Sequence, residues 1–215
     1  MNLLLDKYGG VNIARTTCTK FLGVYVDESL IWDLHLRYIK GKIARGLGII
    51  NKAKKYLNKS TLRTLYFSFS HPYFTFCVEV WGNTFACYLD PLVKLQKRIL
   101  RIIAGAGRID HTAPLFKDMQ IMNLENIYKF AVLQFMYKFY HNELPVMFQS
   151  FFTYKTNIHS YMTRNVCFLH LPLAKSLSYS RTIKFTGVNL YNSYCDILDY
   201  NVSMSVFKNK LKGIL

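Results

Sequence analysis

Near residue 33 the hydrophobic period of this chain changes from two to 3.6, and that change constrains the fold more than any other feature. Upstream, Val11 and Ile13 alternate with polar neighbours after the turn signal Gly9-Gly10. The compact apolar run 21–26 reads as a further strand, with Gly23 inside it marking a bulge or a close backbone approach. Downstream, Leu36, Ile39, Ile43, Leu47, Ile50 and Leu57 fall within roughly one quarter of a wheel at 100° per residue. A chain patterned in this way is mainly α, a helical bundle with an N-terminal β-hairpin.

The helical region continues in recognisable units. Asp33 and Ser60 read as N-caps for helices over 34–57 and 61–80, the second kinked or stopped by Pro72. Asp90, Pro91 and Gly105 read as N-cap, first helical residue and C-terminal stop. Leu92, Leu95, Ile99, Ile102 and Ile103 form the expected core face between them. Thr112 and Pro114 start a short helix, and Asn123 starts a long one to Tyr140, apolar almost all round and hence central. Residues 146–190 show no clear period and read as loops, turns and short strands. A last helix over 203–212 turns Val206, Phe207 and Leu211 inward. The segments expected are 1–32 (hairpin), 33–145 (helical domain) and 146–215 (irregular extension), with about five to seven helices in all.

Charge narrows the function. The 215 residues carry 28 Lys and Arg against 12 Asp and Glu, a net charge of +16. Residues 34–108 alone hold fourteen basic and two acidic groups, and residues 34–78 hold nine basic groups and no acid. A solvated face ordinarily mixes both signs, so a one-sign segment of this length points to an external polyanion. Arg37, Arg45, Lys52 and Lys55 lie off the apolar stripe of the first helix. Lys94, Lys97, Arg98 and Arg101, spaced i, i+3, i+4, i+7, share one face of a later one. These eight are the candidate nucleic-acid contacts. A basic membrane-surface protein is the alternative, less favoured because the aromatics sit at core positions.

Several chemistries have no signature here. The sequence contains no phosphate-binding Gly-rich loop, no Gly-x-Ser-x-Gly and no His-Glu-x-x-His. The six histidines have no ligand spacing and read as structural, and the five cysteines lack any Cys-x-x-Cys. The longest stretch free of Asp, Glu, Lys and Arg, residues 64–78, is fifteen residues long, too short for a membrane span. The N-terminus has no basic n-region. The expectations are an intracellular protein of nucleus or cytoplasm, not secreted, with no small-molecule substrate, no metal and no cofactor.

One ordered set of blocks goes further. Phe21-Leu22-Gly23-Val24 is followed by Asp27, Leu30-Ile31-Trp32 and His35, then His71-Pro72-Tyr73, Val80-Trp81-Gly82, Leu95-Gln96-Lys97-Arg98 and His111-Thr112-Ala113-Pro114-Leu115-Phe116. This order resembles the downstream half of LINE-type (non-LTR) retrotransposon reverse transcriptases, particularly the jockey-like group. The segment Gly187-Val188-Asn189-Leu190-Tyr191-Asn192 with Phe207-Lys208-Asn209-Lys210-Leu211-Lys212 is similar to the tail of the same polyproteins.

The resemblance implies that Phe21, Leu22, Gly23 and Val24 belong to the last hairpin of the palm and are candidate primer-end contacts. It implies that residues 33 to about 140 are the thumb and its extension, which grip a template–primer duplex. The family's Tyr-x-Asp-Asp box and its Mg²⁺ ions belong upstream of the hairpin. This sequence contains no such box, so no catalytic residue is assigned and Mg²⁺ is expected only in the full-length family enzyme. The reading is a truncated RNA-directed DNA polymerase fragment that binds an RNA·DNA or DNA duplex and self-associates through an exposed strand edge. A decayed element product without a selected role is the other outcome.

Overall fold

The computed structural model describes residues 6–8, 11–13, 15–158 and 168–215. It is mainly helical, at 61%, with antiparallel hairpin structure at the N-terminus. The turn signal Gly9-Gly10, His159 and Cys167 lie outside the described residues.

Strands β1 (Asp6–Tyr8) and β2 (Val11–Ile13) pair antiparallel, with Tyr8 opposite Val11. Strands β3 (Cys18–Phe21) and β4 (Val24–Asp27) form a second hairpin, with Phe21 opposite Val24. The run 21–26 is therefore not one strand. Leu22 and Gly23, at φ 45° and 88°, form the two-residue turn, and positive φ at both central positions is what a type I′ hairpin turn requires. Gly23 is a turn residue rather than a bulge.

Asp27 joins this hairpin to the helices. Its carboxylate accepts hydrogen bonds from Ser29 Oγ (2.6 Å) and from the amides of Ile31 (3.0 Å) and Trp32 (2.7 Å). Partial burial acts to raise its carboxyl, but these bonds outweigh it and hold the group below its ordinary value. A carboxyl depressed in the folded state stabilises fully above the unfolded value of about 3.9, and that contribution is lost as pH falls through the folded value. Asp27→Asn, which turns an amide donor toward these donors, is expected to cost about 1–3 kcal/mol at neutral pH. Urea midpoints of wild type and variant should converge in acid; a gap of equal size at acid and neutral pH contradicts this role.

Helix α1 (Asp33–Ala53) buries Leu36, Ile39, Ile43, Leu47 and Ile50 as the wheel predicts, together with His35. Two details differ. Asp33 is the first helical residue and pairs with Arg37 (2.5 Å), while Trp32 occupies the cap position. Leu57 lies beyond the helix end and is exposed. Helix α2 (Lys59–Phe69) is capped not by Ser60 but by Asn58, whose side chain accepts from the Thr61 amide. It approaches α1 closely at Gly46, where a Cβ would lie 2.4 Å from Ser70 Oγ.

The single helix predicted over 61–80 is three. Pro72 has no amide to continue α2, so α3 (His71–Thr75) starts afresh with that proline in its first turn. Cys77, at φ 51°, separates it from α4 (Val78–Trp81). Trp81 is fully buried, and its Nε1 donates to the Phe76 carbonyl at 2.9 Å.

Helix α5 (Ala86–Ala104) begins upstream of the predicted Asp90 cap, with Pro91 inside it. The carbonyl left without the proline's amide belongs to exposed Cys87, and Asp90 pairs with Lys94 instead of capping. Gly105, at φ 68°, ends the helix as predicted. The core face is rotated relative to expectation: Gln96 and Leu100 are buried with Leu92, Ile99 and Ile103, while Leu95 and Ile102 are half-buried.

Short α6 (Ala113–Asp118) leads to α7 (Leu124–Tyr140), capped by Asn123 through the Asn126 amide and buried along most of its length. Beyond it come α8 (Val146–Gln149), a single 3₁₀ turn (Lys155–Asn157), α9 (Leu177–Ser180), α10 (Ile183–Tyr194) and α11 (Met204–Ile214). Among the described residues this makes eleven α-helices, of which five have only four to six residues. Helix α10, unexpected from the sequence, packs on α7 through Gly187, where a Cβ would lie 2.9 Å from Met136 Sδ. Tyr128 also donates to Thr186 across this contact (2.9 Å). In α11, Phe207 and Leu211 are buried as predicted, but Val206 faces outward.

Candidate nucleic-acid interface

Helices α1 and α5 lie side by side and run in the same direction. At their N-terminal end Thr84 Oγ1 donates to the Ile31 carbonyl at 2.8 Å. At their C-terminal end the two helices and the start of α2 enclose a groove of about 1170 Å³.

One wall of the groove is Asn51, Lys54, Lys55, Leu57, Lys59 and Leu62. The other is Lys94, Lys97, Arg98, Arg101 and the turn through Gly105 and Ala106 to Arg108. Among the described residues, eight of those lining it are Lys or Arg and none is Asp or Glu. Among the described residues, only two of the eight meet a carboxylate: Lys59 with Asp118 (2.5 Å) and Lys94 with Asp90 (2.6 Å). Arg101 donates through Nε and Nη2 to the Asp110 carbonyl (2.9 and 2.8 Å), which orients the guanidinium without neutralising it.

The local structure explains how the cations converge. The i, i+3, i+4, i+7 spacing sets the α5 stripe along one wall. The left-handed Gly105 turns the chain sharply, the Ala106 amide returns to the Arg101 carbonyl (2.9 Å), and the Gly107 amide donates to Asp110 Oδ2 (2.7 Å). Arg108 is thereby carried onto the rim. Two unit charges 5 Å apart repel by about 0.8 kcal/mol even in water, and a polyanion lying in the groove relieves several such pairs at once.

The structure brings together five of the eight predicted basic residues: Lys55, Lys94, Lys97, Arg98 and Arg101. Arg37, Arg45 and Lys52 do not line the groove; they lie exposed along α1, Arg37 paired with Asp33 and Arg45 Nε directed at the Gly41 carbonyl (3.4 Å). Three groove cations were missed by the sequence reading: Lys54, Lys59 and Arg108. They stand on turns and at a helix start, where no periodicity marks a face. Their one sequence signal was membership of the basic segment 34–108.

The hairpin residues form a separate location. Phe21 and Leu22 stand at the turn, 65% and 77% exposed, whereas Val24 is buried against α1. Gly23 lines a smaller cavity of about 310 Å³ with His35, Tyr38, Ile39, Pro72, Tyr73 and Phe76. His35 Nδ1 accepts the Tyr25 amide at 3.4 Å, and its ring meets Trp81 edge-on at 5.8 Å. Burial lowers the pKa of His35 and of His71 and favours their neutral forms. From His35 to Asn51 the rise along α1 is about 24 Å, so the hairpin and the groove occupy opposite ends of one helix.

Among the described residues, no group of three or more His, Cys, Asp or Glu is placed to hold a metal ion. No described helix is long and apolar enough to cross a membrane. No protein-family model, curated protein or solved structure matches the chain. The family resemblance thus rests on its ordered sequence blocks.

Proposed function

We propose that the groove between α1 and α5 is a sequence-independent grip for an RNA·DNA or DNA duplex. The observation that carries this reading is the gathering, among the described residues, of eight cations and no acid around one concave surface. Phosphates are the groups such a surface selects, and phosphate contacts hold a duplex in register without reading its bases.

With the resemblance to LINE-type reverse transcriptases, the grip is that of a thumb, and the chain is a palm-end, thumb and downstream portion of such a polymerase acting in nucleus or cytoplasm. The separation of hairpin and groove suits this role, since about seven base pairs at 3.4 Å per step cover 24 Å. Phe21, Leu22 and Gly23 then face the primer end while the basic groove holds the duplex behind it. Self-association through the open edges of the hairpin belongs to the same reading.

Duplexes of unrelated sequence should bind with equal affinity, and strong preference for one sequence would overturn the phosphate grip. The 215 residues by themselves are expected to give no primer extension on an RNA template with Mg²⁺ or Mn²⁺, because they hold no Tyr-x-Asp-Asp pair to anchor two metal ions. Incorporation above background by the purified chain contradicts that expectation.

A further inference from the structure

The turn between α1 and α2 carries an aromatic ring that the duplex grip leaves unused. Tyr56 is 85% exposed, although it lies between two groove-lining residues, Lys55 and Leu57. Its backbone is fixed: the Tyr56 and Leu57 amides both donate to the Ala53 carbonyl, at 2.9 and 3.0 Å, and Asn58 caps the next helix. The ring itself does not line the groove; it stands in water on the turn between two residues that do. Leaving so large a surface hydrated sacrifices the stabilisation its burial brings, and neither the α1 core face nor the α2 cap needs an aromatic here.

A ring beside ammonium groups suits one kind of polymer. Nucleic acid pairs a charged backbone with flat, apolar base faces, and each base stacks on an aromatic side chain whatever its identity. In a continuous duplex those faces are occupied by neighbouring base pairs. They are free where a strand is unpaired.

We propose that Tyr56 is a stacking platform for an unpaired nucleobase, so that the groove's ligand includes a single-stranded segment whose phosphates lie on Lys54 and Lys55. This inference rests on the nucleic-acid reading above and narrows it to a duplex with a single-stranded extension.

The test compares wild type, Tyr56→Ala and Tyr56→Phe by fluorescence anisotropy at one ionic strength. The probes are a short single-stranded oligonucleotide, a long linear duplex with few ends, and inorganic polyphosphate as competitor. Tyr56→Ala should weaken oligonucleotide binding about five- to hundredfold, Tyr56→Phe should retain it, and both variants should hold duplex and polyphosphate as wild type does. Unchanged oligonucleotide affinity in Tyr56→Ala overturns the stacking role. So does an equal loss for polyphosphate, which has no bases. Neither result touches the phosphate grip, which fails instead if wild type binds none of the three probes.

Discussion

Replacing Lys54, Lys55, Lys97 and Arg98 with Gln should weaken duplex binding on the order of a hundredfold at low salt. These four residues line both walls of the groove, and among the described residues none meets a carboxylate. Each phosphate they neutralise releases condensed counterions and contributes about −0.9 to the slope of log K against log salt on B-DNA. The variant should therefore flatten that slope by roughly 2 to 4 units. Gln is nearly as good a helix former as Lys, so α5 should persist, and circular dichroism and urea unfolding check this directly. Relief of like-charge repulsion should if anything raise stability. A folded variant whose affinity and slope match wild type would show that the groove is a solvated surface.

The second large effect concerns a residue with no role in binding. Gln96 is 0% exposed in the middle of α5. Its Nε2 donates to Tyr66 Oη (3.0 Å) and to the Met122 carbonyl (2.9 Å), and its Oε1 accepts the Leu124 amide (3.1 Å) at the start of α7. One amide thus joins α2, α5 and the connection into α7. Gln96→Leu fills similar volume but leaves a buried amide, carbonyl and phenol without this partner, at an expected cost of roughly 2–4 kcal/mol. Tyr66→Phe, which removes only one of the three bonds, should cost about 1 kcal/mol. Denaturant midpoints read both losses, and a Gln96→Leu protein as stable as wild type contradicts the assignment.

Gln96 also shows where sequence reasoning stops. The apolar period of α5 is legible, but a glutamine between Leu95 and Lys97 reads as surface, and only the convergence of three other elements makes its burial favourable. For α1 the wheel succeeds because five β-branched or leucine positions all bury against neighbours. The end of that helix was misplaced because Leu57 continues the pattern by coincidence after the backbone has turned at residues 54–56. Helix α10 was read as irregular because residues 146–190 show no clear apolar period; the contact that holds it, Gly187 against Met136 of α7, comes from the fold and not from any local pattern. The groove was half visible for a similar reason. A stripe on one helix can be read from spacing, whereas the facing wall comes from a turn and a helix start that only the fold brings opposite it.

The most direct measurement of the central claim is the affinity of the wild-type chain for DNA and RNA·DNA duplexes across a salt series, alongside anionic vesicles. Six groove cations that, among the described residues, meet no carboxylate predict a straight plot of log K against log salt with a slope of about −5, the same for unrelated sequences and tighter than vesicle binding. A slope indistinguishable from zero, or a preference for vesicles over every duplex, would contradict it.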